Sequence, residues 1–141
     1  MKEKIIGFVC GAFDLCHAGH VLLFKDCKNY CNYLIVGLHI DPSIEDAKKN
    51  KPIQSVKERI IQLKAIKYID EIVVYSTKEE LTNILLKLKP DVRIRGDDHF
   101  SDNTKNPEVS YREVYHKRKC YSSSKLRRKI YKAEKTKVNK L

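Results

Sequence analysis

The chain has 141 residues, the size of one ordinary domain, and its 42% apolar content supplies a buried core and excludes wholesale disorder. Lys and Arg outnumber Asp and Glu by 29 to 18, a net charge of +11. Residues 116–141 hold 11 of the basic side chains and 1 acidic one, so the preceding part is nearly neutral at +1 and a uniformly basic surface is excluded.

No apolar run approaches the roughly 20 residues that span a bilayer. The start, Met1-Lys2-Glu3-Lys4, leads straight into a strand-like run and does not resemble a signal peptide. The five cysteines form no CxxC pair and no zinc-finger spacing, which suits reduced thiols and a cytoplasmic location.

In chain order, residues 5–10 read as a buried strand and residues 21–30 as a helix with Leu22, Leu23, Cys27 and Tyr30 along one stripe. Residues 33–38 form a second apolar strand. A polar, lysine-bearing loop follows, and then a helix over 55–68, with Ser55 as N-cap and Glu58 three residues on. Residues 72–75 are a third strand, 78–88 a third helix ending before Pro90, and 91–95 a fourth strand stopped by Gly96. Residues 97–110 read as a loop, 111–116 as a fifth strand and 122–132 as a last helix. Strands that are apolar throughout, separated by helices, imply a parallel sheet covered on both faces. Ligands of such sheets bind beyond the carboxyl ends of the strands. The unusual residue clusters of this chain fall there.

After the first strand comes Gly11-Ala12-Phe13-Asp14-Leu15-Cys16-His17-Ala18-Gly19-His20. His17 and His20, three apart at a helix start, turn both rings to one side of its first turn. Gly11 lets the backbone turn, and Gly19 leaves no side chain in the way of a phosphate. The unpaired N–H groups of that turn and the helix dipole favour an anion. One histidine alone would serve as a cap or a core group. Two, with a helix N-terminus, can stabilise charge developing on phosphorus.

This string resembles the HxGH signature of the nucleotidyltransferase superfamily, and the longer GxFDxxHxGH is similar to its cytidylyltransferase branch, glycerol-3-phosphate cytidylyltransferase above all. Lys67-Tyr68-Ile69-Asp70-Glu71-Ile72 resembles the family's (R/K)YVDEV segment, Arg95-Gly96-Asp97-Asp98-His99-Phe100 its GDDW loop, and Tyr121-Ser122-Ser123-Ser124-Lys125-Leu126 its ISTTKI motif. The resemblance implies an α/β, Rossmann-like three-layer sandwich with a parallel sheet of about five strands. The transferase domain would occupy residues 1–132, followed by a basic tail, 133–141, that frays.

The implied reaction is attack of a substrate phosphate on the α-phosphate of CTP, with release of pyrophosphate. By resemblance, His17 and His20 contact the phosphates and stabilise the transition state, aided by Lys51 and Ser123. Gly11, Ala12, Phe13 and Gly19 border the nucleotide, and Asp14 orients the site or meets the metal. Arg59, Asp97, Lys117, Arg118, Tyr121, Ser122 and Ser124 complete the nucleotide site, and Lys48 binds the acceptor. Mg²⁺ is implied as the cation of the triphosphate, and a homodimer as the assembly.

The chain departs from the family pattern at Lys67 and Lys117, where arginines are usual, at Cys120 for glycine, and at His99 for tryptophan. These positions bear on the acceptor and the base more than on the transfer. Adenylyl-transferring relatives, the archaeal-type FAD synthetases and heptose-phosphate adenylyltransferases, share a similar start and make ATP the rival nucleotide. A nucleic-acid-binding module using the basic end is the remoter alternative. A membrane-surface helix is disfavoured, because the Leu126, Ile130 and Ala133 stripe is expected to pack on the sheet.

Overall fold

The computed structural model describes residues 3–96, 111–117 and 121–140. Nine elements follow one another: β1 (Ile6–Gly11), α1 (Ala18–Cys27), β2 (Tyr33–His39), α2 (Val56–Lys64), β3 (Glu71–Tyr75), α3 (Lys78–Leu88), β4 (Val92–Gly96), β5 (Arg112–His116) and α4 (Ser123–Asn139). The five strands form one sheet in the order β3-β2-β1-β4-β5, every pair parallel. The expected Rossmann-like α/β architecture is therefore present.

Alternation along each strand separates two cores. Val9, Leu34, Val36, Leu38, Val92 and Ile94 face Phe24 and Cys27 of α1 and Leu63 of α2. Phe8, Ile35 and Tyr75 face Leu81 and Leu85 of α3 on the other side. Strand β1 lies at the centre, so its carboxyl end opens between the layers, at the point where the order reverses from β2 to β4.

The helix capping matches the sequence closely. Ser55 accepts from the Glu58 amide while Glu58 accepts from the Ser55 amide, both at 3.1 Å. Asp70, of the (R/K)YVDEV-like segment, accepts from the Leu34 amide at 2.7 Å and pairs with Lys28, which joins the end of α1 to the start of β2 and β3. Burial works against its charge, but the bonds from Lys28 and Leu34 outweigh it and hold the carboxyl below its ordinary value.

The C-terminal helix differs from expectation. It continues as helix from Ala133 to Asn139, where Ala133, Glu134, Lys135 and Lys137 are strong helix formers. Its apolar stripe does not pack on the sheet: Leu126 is half-buried, whereas Ile130 is 47% exposed and α4 has no buried residue. Among the described residues no helix is long and apolar enough to cross a membrane.

Candidate active site

The described residues at the carboxyl edge enclose a cavity of about 760 Å³. Its centre is the β1–α1 turn. His17 is the N-cap of α1 in extended conformation, and its Nδ1 accepts from the Gly19 amide at 3.0 Å. A backbone N–H can only donate, so Nδ1 carries no proton, and in the neutral ring the proton sits on Nε2. That Nε2 lies 3.1 Å from Ser123 Oγ, so the ring donates to the hydroxyl at the start of α4. The His20 ring stacks on His17 at 3.8 Å between centroids, and its Nδ1 faces the His17 amide at 3.4 Å. Side chain and backbone thus cross-brace the first turn.

This bracing alters one expectation. The amides of Gly19, His20 and Val21 are engaged by His17 itself, through its ring and its carbonyl, and so are not spare donors for a phosphate. Anion attraction rests instead on the two imidazoles and on the α1 dipole. Gly19 has a different necessity: a Cβ there would lie 2.7 Å from Tyr121 Cβ and 2.9 Å from His17 Cε1. The glycine allows α4 to approach the histidine turn.

Nor is Gly11 the residue that turns the chain. The turn is made by Phe13 (φ 48°) and Leu15 (φ 54°), both in the left-handed region that L side chains adopt only when held there. Phe13 is held by its ring, buried edge-on against His20 and tilted against Phe24. Leu15 is held by its amide, which donates to Gln54 Oε1 at 2.8 Å.

Asp14 has both carboxylate oxygens occupied, by the amides of Ile53 (2.8 Å) and Gln54 (2.9 Å), and Arg127 Nη1 lies 3.6 Å away. It orients the loop before α2 and ties α4 to the turn. Arg59 is only 2% exposed and does not line the cavity. Its guanidinium donates to the carbonyls of Ala12, His39, Ile40, Gln54 and Ser55, between 2.7 and 3.3 Å. One buried cation therefore fastens the β1–α1 turn, the end of β2 and the start of α2 together. By resemblance Arg59 would bind the nucleotide; in the structure it holds the loops that border the cavity, because its side chain points beneath them.

The cavity wall includes Gly11, Ala12, Phe13, Asp14, His17, Gly19, His20, Tyr121 and Ser123 from the predicted site. Ser122 is instead the α4 N-cap, accepting from the Lys125 amide at 3.1 Å, and Ser124 and Lys117 are exposed and off the wall. Lys48 and Lys51 are also exposed and off the wall, whereas Lys49 between them lines it. Asp97 and Arg118 lie outside the described residues.

Arg93, Arg95, His39, Tyr75, Lys78 and His116 also line the cavity, though the motifs give them no role there. A signal existed for two of them. Arg93 and Arg95 interrupt an otherwise apolar strand at alternate positions, which places both charges on one buried face. His116 Nδ1 meets Asp26 Oδ2 at 2.7 Å, linking β5 to α1 beside the cavity. His39 packs on Tyr75 and its Nε2 faces the Ser76 carbonyl; burial pushes this imidazole below its ordinary value. Among the described residues no three His, Cys, Asp or Glu side chains converge as metal ligands.

Comparison with known proteins agrees with this geometry. Residues 8–137 match the family model described as cytidylyltransferase-like. The chain is 35% identical over 102 residues to the bifunctional protein HldE of Paramagnetospirillum magneticum, covering 72% of this chain and 21% of that one. It is 37% identical over 100 residues to the FAD synthase of Pyrococcus horikoshii, 71% of this chain and 68% of the relative. It is 45% identical over 73 residues to the probable ethanolamine-phosphate cytidylyltransferase of Encephalitozoon cuniculi, 52% of this chain and 23% of the relative. The chain thus spans about a fifth of the length of the HldE protein. Among solved structures, the lipopolysaccharide core biosynthesis protein of Thermoplasma volcanium superposes with a TM-score of 0.66 at 19% identity, over 85% of this chain and 100% of that one, a likeness of fold. With the HxGH turn at the carboxyl end of its central strand and a family match over residues 8–137, the chain belongs to the cytidylyltransferase-like family of nucleotidyltransferases.

Proposed function

We propose that the protein transfers CMP from CTP to a small phosphorylated acceptor, glycerol 3-phosphate being the best candidate, and releases pyrophosphate. The observation that carries the transfer reading is the 3.1 Å bond between His17 Nε2 and Ser123 Oγ, across 106 residues of sequence. It brings the turn after β1 and the N-terminus of α4 to one point, with His20 stacked alongside. In the reaction an oxygen of the acceptor phosphate bonds to the α-phosphorus while the bond from that phosphorus to the bridging oxygen breaks. Pyrophosphate leaves with the electron pair. No protein nucleophile is required; the site must align the groups and offset the growing negative charge.

His17 enters this scheme with its proton on Nε2, directed at the α4 turn, where a β- or γ-phosphate oxygen would replace or join the Ser123 hydroxyl as acceptor. Arg127, partly exposed beside Asp14, adds a positive charge at the same wall. Mg²⁺ would arrive with the triphosphate and offset its charge. Asp14, with an amide on each oxygen, orients the site and keeps further lone pairs with which it could meet the metal. A homodimer and a cytoplasmic location belong to the same proposal.

ATP is the second reading. The FAD synthase of Pyrococcus horikoshii, matched over 68% of its length, makes a product that contains an adenylyl group. The ethanolamine-phosphate cytidylyltransferase supports CTP at higher identity over a shorter stretch. Pyrophosphate release measured with CTP and with ATP, each against glycerol 3-phosphate, phosphocholine, phosphoethanolamine and FMN, decides between them. Release with CTP and a small phosphomonoester supports the proposal. Release with ATP alone overturns its choice of nucleotide, and no release with either overturns the transfer reading.

A further inference from the structure

The cavity extends past the histidine turn to the α3 side of the sheet, where Cys10, His39, Tyr75, Lys78 and Arg93 line it. Arg93 is unusual there. It is 4% exposed, in the middle of the sheet, on β4 opposite Phe8 of β1. Its guanidinium donates to Tyr111 Oη at 3.0 Å and makes a long contact of 3.7 Å to Cys10 Sγ. Its Nε is buried without a hydrogen-bond partner, and among the described residues no carboxylate pairs with it. Arg95, two residues on, has Glu113 at 3.4 Å; Arg93 has no such compensation.

A guanidinium keeps its charge at any ordinary pH, and a buried charge without a counter-ion is strongly unfavourable. A neutral phenol and a thiol solvate it only in part. The arrangement becomes favourable when an anion enters this arm beside the guanidinium, because a carboxylate or phosphate accepts from it through charge-assisted bonds and supplies the missing counter-charge. The register sets the depth. Phe8, opposite Arg93, precedes Gly11 by three residues, about 10 Å along the strand. The backbone of Arg93 therefore lies below the edge at which transfer would occur, and its guanidinium reaches along the sheet to Cys10, the residue before Gly11.

We propose that Arg93 is a specificity-determining residue for the acceptor: it binds a second anionic group, carboxylate or phosphate, at the end of the acceptor remote from its reacting phosphate. This rests on the transferase reading above, with the triphosphate on the His17, His20 and Ser123 side and the acceptor in the Arg93 arm. Within the proposed class of small phosphorylated acceptors it ranks those with a second anion above glycerol 3-phosphate, and it leaves the nucleotide transfer itself unchanged.

The test compares acceptors on matched skeletons with the nucleotide the enzyme accepts. Glycerol 3-phosphate is set against 3-phosphoglycerate, which adds a carboxylate, and glycerol 1,3-bisphosphate, which adds a phosphate; phosphoethanolamine is set against phosphoserine. The expected result is a kcat/KM at least tenfold higher for an acceptor with the second anion, carried mainly by KM. Arg93→Met removes this preference and Arg93→Lys restores part of it. The glycerol series also shows which anion the arm takes. Equal use of charged and uncharged members by the wild type, or a preference that survives Arg93→Met, overturns the inference while leaving the transferase reading intact. Failure of that reading gives a separate result, no pyrophosphate from any combination. Thermal stabilisation of the wild type by 3-phosphoglycerate over glycerol 3-phosphate reads Arg93 without turnover, and its absence also overturns the inference. This wild-type measurement decides even if Arg93→Met does not fold.

Discussion

The β1–α1 turn and helix α4 meet at Ser123, yet they are built in opposite ways. The turn is fixed from beneath. Phe13 and Leu15 are held in left-handed conformations, Asp14 accepts two amides, and Arg59 secures five carbonyls from a buried position. Helix α4 has no buried residue and touches the site through its first two turns, by Ser123, Arg127 and the Asp14 pair. Distortion in the turn is costly and its geometry is preorganised; α4 is held by a few polar contacts near its start. Precision belongs to the first region and adjustability to the second.

Removing chemistry from the turn gives the largest expected effect. Replacing His17 with Ala eliminates the donor to the α4 side, and turnover should fall by about 10²–10³-fold. Stability should fall by only about 1 kcal/mol, the worth of a helix cap. Steady-state kinetics beside thermal melting check both numbers. A large loss of stability with little loss of rate would make His17 a structural cap and not a catalytic group.

Arg59→Met attacks the turn from below. It leaves several carbonyls without their donor in a buried place, so the folding free energy should drop by roughly 3 kcal/mol. Urea denaturation measures this. An unchanged midpoint would show that the carbonyls find other partners.

Gly19→Ala probes the contact between the two regions. A Cβ at 2.7 Å from Tyr121 must push α4 outward, so turnover should fall about tenfold while α1 keeps its cap. Deletion of residues 133–141, by contrast, should change stability by no more than about 0.5 kcal/mol, because that part of α4 is exposed throughout.

The smallest effect is a pH dependence. Asp70 titrates lower in the folded protein than in the unfolded chain, so its contribution is complete above the unfolded value and disappears as the pH falls through the folded one. Acid unfolding of Asp70→Asn should therefore be less steep below about pH 4. An identical acid limb for both proteins would show that Asp70 does not link folding to pH.

Much of this was legible in the sequence. Apolar strands separated by helices led to the parallel sheet, and the Ser55–Glu58 pair marked the start of α2. The HxGH string placed both imidazoles where the structure has them. Other roles were hidden because they depend on depth and register, which a linear pattern does not carry. Arg59 looks like a ligand until its helix face is known to point under the loops. Lys49 and its neighbours Lys48 and Lys51 are indistinguishable until the loop path is fixed. Arg93 was visible as a charge in an apolar strand, but its missing counter-ion emerges only from the packing of Cys10 and Tyr111 around it. The full length of α4 is hidden because its exposed end, bearing Lys and Glu, favours helix without the apolar burial that marks a helix in a linear pattern.

The most direct test of the central claim is a crystal structure with a non-hydrolysable α,β-methylene triphosphate. Phosphate oxygens within hydrogen-bond distance of His17 Nε2 and the His20 ring, adjacent to Ser123, are the predicted result. A triphosphate bound away from both imidazoles, with the His17–Ser123 bond undisturbed, would contradict it.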